Sequence, residues 1–263
     1  MNKIVLSSLL ASTLFVAAHA EDVKVTPLKT HAEFGYIETN GNTKTKTFNL
    51  EANAKKAWNK HEGKIKFDGQ YADDDGDETK NKYLIELNYN YSFTDRFAFD
   101  YLVGYKSDKF SGYDYQFYTG PGAQYKAIVT DQHKLTLSGN ILYSQDQKMD
   151  IHRDASGAIV PYPYNTPYVT TESGKKDDYA AYRLKGEYAY KITKTLKFTQ
   201  DLSIRGDLEK SENYFVFSKT ALSSKISDIF SAGVSYKVDY ANRPPVDKKK
   251  TDTTFTFNLI ADF

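Results

Sequence analysis

The chain has 263 residues, with 35 basic and 34 acidic side chains, no cysteine, and an aromatic content of 15% that includes 22 tyrosines and 16 phenylalanines. The nearly neutral charge argues against nucleic acid or another polyanion as a partner. The absence of cysteine excludes both a disulfide framework and a lipid-anchored N-terminus.

The chain begins with the pattern of a secretory signal peptide over residues 1–20. Lys3 supplies a basic region, an apolar run rich in leucine and alanine follows, and Ala18-His19-Ala20 forms a small-residue cleavage site. Cleavage there leaves residues 21–263 as the mature domain, with 34 basic and 34 acidic side chains. No second apolar run reaches the roughly eighteen residues of a transmembrane helix.

After the signal, about twelve segments alternate apolar and polar residues with the two-residue period of a β-strand. Between Lys82 and Phe93, for example, tyrosine, isoleucine, leucine and phenylalanine occupy the odd positions. The segments exceed the roughly five or six residues of a typical globular strand and reach the length of a tilted transmembrane strand. The predicted strands are 29–39, 43–58, 61–72, 79–93, 95–107, 113–129, 132–145, 178–193, 195–208, 212–223, 228–241 and 251–263.

The connections between these segments alternate in length. The even-numbered connections, such as the one at Lys194, are all tight, whereas the odd-numbered ones are mostly longer and include 73–78 and 145–177. Short periplasmic turns opposite longer outer loops are typical of bacterial outer-membrane barrels, and this asymmetry predicts that both termini are periplasmic. The first hairpin, around Gly41, is a short exception among the outer loops.

The last segment, from Thr254 to Phe263, carries an apolar residue at every odd position and ends on an aromatic residue. It looks like the assembly signal of bacterial outer-membrane barrels, with Phe263 as the signal residue. The pattern as a whole predicts an all-β fold, a closed antiparallel transmembrane β-barrel of about twelve strands. A secreted soluble barrel is disfavoured because it would expose bands of tyrosine and phenylalanine to water.

Several motifs, spaced in order along the mature chain, resemble one family. Through them the chain is similar to the YdiY-like family, whose members are described as salt-induced outer-membrane proteins. The resemblance implies an outer-membrane location and contact with the barrel-assembly machinery. It supplies no catalytic residues, because the family is itself largely of unknown function, and the segment 145–177 departs from its pattern. The matching motifs are Gly41-Asn42-Thr43, Asp95-Arg96-Phe97, residues 108–114, 240–245 and 250–253, and Phe263.

The polar faces of the strands predict the residues that line the lumen. Both signs of charge occur in nearly equal number, whereas an ion-selective channel would more naturally show one dominant sign. Barrels of about eight strands are filled with side chains and those of about sixteen hold an aqueous channel, so this barrel lies between. We favour a narrow, salt-bridged lumen over an open charged pore. The predicted lumen residues are Glu51, Lys64, Lys66, Asp68, Glu86, Asp100, Arg183, Lys185, Glu187, Lys197, Asp201 and Arg205.

The acidic run around Gly76 is a weak candidate for a divalent metal site through Asp73, Asp75 and Asp77. An EF-hand loop with Gly76 at its sixth position would begin at Tyr71, which cannot serve as its first ligand. We favour a solvated hairpin tip, because blocks of like charge are usually solvated. The sequence therefore predicts no metal site and no cofactor.

The longest loop, residues 145–177, contains three prolines that alternate with tyrosines between Pro161 and Tyr168. Long loops in compact folds are often functional, and proline stiffens them towards extended geometry. This loop could fold inward as a constriction, project outward as a receptor surface, or be a variable surface loop. All three alternatives stay open.

Catalysis is not expected, since the chain lacks a G-x-S-x-G elbow and zinc-ligand spacing, and His152 alone among the histidines falls in an outer loop. The function that we predict is passage of small solutes or ions across the outer membrane through a narrow charged lumen. The alternative is a non-conducting barrel for envelope integrity or surface contact. Expected partners are outer-membrane lipid, lipopolysaccharide and the barrel-assembly machinery, and the oligomeric state is left open.

Overall fold

The computed structural model describes residues 26–39 and 45–263. The predicted signal peptide, residues 1–20, and the tip of the first hairpin around Gly41 lie outside the described residues. Within the described ranges, no helix has the length and hydropathy needed to cross a bilayer.

The described residues form fifteen strands in chain order. Their bounds are β1 (Lys29–Thr39), β2 (Thr45–Trp58), β3 (His61–Asp74), β4 (Asp77–Ser92), β5 (Phe97–Asp108), β6 (Tyr113–Val129), β7 (His133–Lys148), β8 (Ile151–Arg153), β9 (Ile159–Val160), β10 (Thr170–Glu172), β11 (Lys176–Lys191), β12 (Leu196–Asp207), β13 (Tyr214–Lys225), β14 (Phe230–Ala241) and β15 (Thr251–Asp262).

Twelve of these strands form one closed antiparallel barrel, in the order β1-β15-β14-β13-β12-β11-β7-β6-β5-β4-β3-β2. The sheet closes where β1 pairs with β15, with Phe34 opposite Leu259. Closure leaves no unpaired strand edge, which is what a spanning sheet requires in lipid. The prediction of a closed antiparallel transmembrane barrel of twelve strands is confirmed, whereas the periplasmic placement of the termini stays a prediction.

The strands are polar inside and apolar outside. In β15, Phe257 is 64% exposed, while its neighbours Thr256 and Asn258 are only 4% and 9% exposed. In β4, Leu87 is exposed on the outside and Glu86 is buried on the inside. This inversion of the soluble pattern is the architecture of a barrel whose outer surface meets hydrocarbon.

The two ends of the barrel differ. The end that carries the connections after β2, β4, β6, β11 and β13, which we call the turn end, has only connections of four residues or fewer. The opposite end, which we call the loop end, carries the long connection (residues 149–175) and the strap (residues 242–250). This difference follows the predicted alternation of connection lengths.

One predicted outer connection is shorter than expected. The sequence predicts a connection over residues 73–78, but β3 continues to Asp74 and β4 begins at Asp77. The turn between them is only Asp75-Gly76, with φ of 54° and 93°. An Asp-Gly pair with both residues at positive φ is the preferred two-residue turn of a β-hairpin, so the acidic run belongs mostly to paired strands.

The long connection has a structure of its own. Its three short strands form a small sheet in the order β10-β8-β9. The His152 ring packs against Tyr164 and Tyr168, with ring centroids 4.5 and 4.1 Å away. The segment is therefore a folded cap rather than an extended loop.

Candidate functional site in the barrel lumen

The first layer of the lumen is a salt bridge that spans the bore. Arg183 on β11 donates to Glu86 on β4 with a distance of 2.9 Å between Nη2 and Oε1. Three strands, β5, β6 and β7, separate β4 from β11 in the barrel, so the two side chains can meet only across the interior. Tyr118 on β6 donates a second hydrogen bond to the same Glu86 oxygen at 2.7 Å. Both charged groups are buried, so their salt bridge obstructs the lumen at this height.

A second layer is built around Glu51 on β2. Its carboxylate lies 3.0 Å from the Nζ of Lys219, 3.3 Å from that of Lys237 and 3.8 Å from that of Lys66. Lys219 also binds Glu33 at 2.9 Å. Lys219 on β13 and Lys237 on β14 reach Glu51 over the interior, because their strands are not neighbours of β2, whereas Lys66 comes from the adjacent strand β3. Lys237 additionally pairs with Asp68 on β3.

A third layer lies nearer the turn end. Glu187 accepts from Lys185 at 2.7 Å on its own strand and from Lys64 at 3.4 Å on β3. The contact with Lys64 again joins strands that are not neighbours in the barrel. The lumen is therefore crossed at several heights by paired charges, which is the arrangement that a low-dielectric interior favours.

Arg205 on β12 is held by both charge and aromatic faces. Its guanidinium carbon lies 4.9 Å from the ring centroid of Tyr118 and 4.7 Å from that of Phe215. It donates to Ser144 at 3.1 Å, and its Nη2 lies 3.6 Å from Asp146. A planar guanidinium stacked in this way is fixed in orientation as well as in charge.

One wall of the lumen is filled by apolar side chains. Leu102, Leu142 and Ala181 are nearly inaccessible and pack with Tyr118. The Tyr118 ring lies directly over Gly104, where an added Cβ would come within 2.1 Å of it. Only glycine leaves room for the ring at this position, so the narrowing of the bore depends on Gly104 as much as on the tyrosine.

Another shared carboxylate lies towards the loop end. Asp239 on β14 receives Lys82 on Oδ2 at 2.8 Å and Lys106 on Oδ1 at 3.2 Å. Both lysines come from β4 and β5 on the opposite wall. Here, as at Glu187, two ammonium groups share one carboxylate.

A cavity of about 350 Å³ extends from the salt bridge at Glu86 to the strap. Ten lysine or arginine residues and seven aspartate or glutamate residues line it, together with aromatic side chains that include Phe215 and Phe217. A second cavity of about 380 Å³ lies between the strap and the long connection. Pro244, Asp247 and Lys248 line both cavities, so the two adjoin at the strap.

The loop end is covered by connections that contact each other over the bore. A Cβ on Gly112, between β5 and β6, would lie 2.7 Å from the Cβ of Pro245 in the strap. Tyr162 of the long connection donates to Glu78 at 2.9 Å and accepts from Lys109 at 3.1 Å. This hydrogen bond to Tyr162 raises the pKa of Lys109 above its ordinary value, with a smaller contribution from the charge of Glu78. The long connection is thus fastened to the barrel rim by charged and polar contacts.

The predicted lumen residues differ in how deeply they are buried. Glu51, Lys66, Asp68, Glu86, Asp100, Arg183 and Arg205 are buried, and Lys64, Lys185, Glu187 and Asp201 are partly buried. Lys197 shares the face of Asp201 and Arg205 on β12 but is exposed, since it is the second residue of the strand at the turn end. Asp100 accepts hydrogen bonds from the amides of Asn88 and Asn140 rather than from a cation.

Several inner-face charges were missed by the sequence analysis. They continue the same alternation on strands that had been credited with few lumen residues, so the two-residue period was a signal that could have found them. The missed residues include Glu33, Lys82, Lys106, Asp146, Lys219, Lys237 and Asp239.

The acidic hairpin does not gather its carboxylates. Within the described part of the chain, no group of three or more histidine or carboxylate side chains could hold a metal ion. Asp77 instead accepts a hydrogen bond at 3.2 Å from Asn165 of the long connection. This contact adds to the fastening of the cap.

Comparison with known proteins identifies the family. A family model described as "Protein of unknown function, DUF481" matches residues 32–263. The chain belongs to this family. The uncharacterized protein YdiY of Escherichia coli K12 is 24% identical over 241 residues, which cover 89% of this chain and 82% of that protein. The resemblance to the YdiY-like family is thereby confirmed.

Solved structures similar to this one are also barrels. The NanC porin is 12% identical with a TM-score of 0.45, covering 90% of this chain and 99% of its own. The KdgM porin is 12% identical with a TM-score of 0.41, covering 90% and 98%. The translocator domain of the autotransporter NalP from Neisseria meningitidis is 9% identical with a TM-score of 0.44, covering 93% and 89%. At these identities and TM-scores, the similarity carries no information on function.

Proposed function

We propose that the chain is an outer-membrane barrel through which small solutes or ions pass along a narrow charged lumen. The observation that carries this proposal is the cavity of about 350 Å³, which leads from the strap down to the salt bridges of the bore. A barrel that served only as a scaffold would gain stability by filling this space with apolar side chains.

The outer surface supports the membrane location. Near the loop end, Tyr83, Tyr105 and Tyr115 stack with ring centroids 6.0 and 5.8 Å apart. Near the turn end, the His61 ring lies 5.7 Å from Trp58 and 5.1 Å from Tyr91. Aromatic residues at two levels around an apolar band are typical of outer-membrane barrels. Tyr83 and Tyr91 bound a nine-residue stretch of β4, which reaches the roughly nine to eleven residues of a tilted transmembrane strand.

The proposal includes export and assembly. Residues 1–20 direct secretion, both termini lie on the periplasmic side, and the outer surface contacts lipid and lipopolysaccharide. Phe263 exchanges two backbone hydrogen bonds with Thr30, at 2.8 and 2.9 Å, beside the seam between β1 and β15. This position fits a role for Phe263 as the residue that the barrel-assembly machinery recognises. No catalysis is proposed.

The salt bridges that cross the bore set the limit on what passes. The salt bridge between Glu86 and Arg183 and the charged cluster around Glu51 leave no wide path in the middle of the lumen. Passage then requires small solutes and rearrangement of charged side chains, and we expect a low unitary conductance.

The second candidate function is a non-conducting barrel for envelope integrity or surface contact. The same cross-lumen pairs favour it, because an interior crossed by paired charges, with an apolar wall at Leu102 and Leu142, resembles a filled core. The folded cap over the loop end would then be the contact surface.

Ion conductance of the purified protein in a planar bilayer separates the two functions. We expect small, reproducible conductance for the wild type. Replacing Glu86, Arg183, Glu51 and Lys219 together with alanine removes two cross-lumen pairs with no change in net charge, and should increase the conductance and reduce its selectivity.

The matched control is the double replacement of Lys55 and Glu62, which form a 2.6 Å pair between adjacent strands near the turn end. This change removes one charge of each sign but no contact across the bore, so conductance should stay near the wild-type value. A large wild-type conductance would contradict the narrow lumen. Silence in the wild type and in the fourfold variant would establish the non-conducting barrel.

A further inference from the structure

The lysine clamp, formed by Lys82 and Lys106, binds the carboxylate of Asp239 in a two-point geometry. Lys82 donates to one carboxylate oxygen at 2.8 Å and Lys106 to the other at 3.2 Å. The clamp and its carboxylate come from opposite walls of the barrel. The same two ammonium groups would bind any other carboxylate that took the place of Asp239.

The clamp can be reached from the cavity. The side chains of Lys106 and Asp239 are 27% and 23% exposed, against 9% and 6% for Arg183 and Glu86 deeper in the lumen. All three members of the clamp contact line the cavity of about 350 Å³. A solute in this cavity can therefore reach Lys106 and Asp239 without first breaking the inner salt bridges, and it can reach Lys82, which is 10% exposed, when Asp239 moves aside.

The surrounding charge favours an anion. The cavity wall carries ten basic and seven acidic side chains, and three of the basic ones, Lys248, Lys249 and Lys250, follow one another in the strap. The acidic ones include Asp252, which stands opposite Asp239 in the register of β14 and β15. Asp108 uses its carboxylate to accept from the backbone of Phe110 at 3.1 Å. Positive charge therefore exceeds negative charge along the path from the strap to the clamp.

We propose that the lysine clamp is a binding site for small organic acids and that Asp239 is a tethered carboxylate which occupies the site until a solute displaces it. The inference rests on the proposed function, since it names the solute class that the lumen admits. A tethered group competes as though it were present at high local concentration, so the wild type binds a free carboxylate weakly. Removing the tethered carboxylate should expose the site.

The test measures binding of succinate to the full-length mature protein in detergent by isothermal titration calorimetry. Asp239→Asn should bind succinate roughly tenfold more tightly than the wild type, because the competing carboxylate is gone. The triple variant Asp239→Asn, Lys82→Gln, Lys106→Gln should lose that gain. Uncharged succinamide should bind to none of the three. Asp239→Thr serves as a substitute for Asp239→Asn if the latter does not fold, as judged by heat-modifiable gel mobility.

Asp252→Asn is the matched control, because it removes the same charge from the same cavity wall without vacating the clamp. It should leave succinate affinity within about twofold of the wild type. An equal gain in Asp252→Asn and Asp239→Asn, no gain in Asp239→Asn, or a gain that survives in the triple variant would each overturn the clamp.

Conductance of the same variants separates this inference from the proposed function. If Asp239→Asn binds succinate tightly but neither it nor the wild type conducts, the clamp is correct and the passage function is wrong. If the wild type conducts and Asp239→Asn shows no gain in binding, the passage function stands and the clamp is wrong. When the wild type conducts and Asp239→Asn also gains succinate affinity, succinate should carry more current relative to potassium in Asp239→Asn than in the wild type.

Discussion

The inner and outer faces of this barrel are built from the same twelve strands but are stabilised in opposite ways. On the outer face, Leu202 is 53% exposed and is stabilised by the apolar medium around it. On the inner face, charged groups such as Glu86 are buried and are stabilised by a specific partner. The difference teaches that the stability effect of a substitution depends on the polarity of the new side chain on the outer face. On the inner face, it depends on which charged or polar groups lose their partner.

The largest effect should come from breaking an inner pair. Glu86→Ala leaves the Arg183 guanidinium and the Tyr118 hydroxyl without their acceptor, and should lower the free energy of unfolding by about 3–5 kcal/mol. Urea unfolding of the protein in micelles, followed by circular dichroism, measures the change. The control is Asp201→Ala, since Asp201 makes no salt bridge within the described residues, and it should cost much less. Equal losses in the two variants would mean that pairing does not govern the inner face.

On the outer face, stability should be lowered by an added charge rather than by the loss of a partner. Leu202→Arg or Leu87→Arg should cost about 2–4 kcal/mol where the side chain meets the bilayer midplane. The same change at the inward neighbours Ser203 and Asn88 should be tolerated better. Unfolding measured in liposomes tests the comparison, and equal tolerance at the two sets would show that the faces are assigned wrongly.

Glycines test the comparison without a change of charge. Gly104→Ala puts a Cβ against the Tyr118 ring on the crowded inner face and should cost about 1–3 kcal/mol. On the outer face, a Cβ at Gly186 would meet nothing nearer than Leu137 at 3.6 Å, so Gly186→Ala should be nearly neutral. A thermal unfolding series in one detergent compares them, and a larger loss at Gly186 would contradict the crowding of the inner face.

The smallest effect concerns a polar cluster on the outer face. Gln200 donates to Ser218 at 2.9 Å and accepts from Thr220 at 2.5 Å. Hydrogen bonds between side chains in a membrane contribute about 0.6 kcal/mol on average. Gln200→Leu should therefore change the free energy of unfolding by less than about 1 kcal/mol, because the lost bonds are offset by a more apolar surface. A loss as large as that of Glu86→Ala would show that the outer face also depends on pairing.

The fold could be predicted from the sequence because the alternation of apolar and polar residues within each strand identifies its two faces. The alternation of β6 gave its bounds, Tyr113–Val129, without error. The hairpin turn at Asp75-Gly76 is shorter than the predicted connection 73–78, because acidic composition suggests a loop while Asp-Gly is itself a strong signal for a two-residue turn. The small sheet of the long connection was missed because its strands, such as Ile159–Val160, are too short to show a period.

The candidate site could be predicted only in part. The alternation identifies which residues face inward, as it did for Glu51 and Arg183. It does not say which of them meet, because contacts across the bore depend on how far each strand is tilted and staggered against its neighbours. The contacts of Lys219 with Glu33 and of Asp239 with Lys82 join residues far apart in the chain, and no local pattern encodes them.

The seam between β1 and β15 has a consequence for the order of folding. His31 and Asp262, whose side chains lie 2.7 Å apart, are separated by 231 positions in the chain. In every other strand pair of the barrel, one strand can add to a neighbour that has already formed. The pair of β1 and β15 instead joins the first and last strands and has the largest entropic cost of loop closure. Until this pair forms, the molecule is a curved sheet with two unpaired strand edges, which can pair with other chains. Closure of the seam is therefore the step at which an aggregation-prone intermediate becomes a barrel.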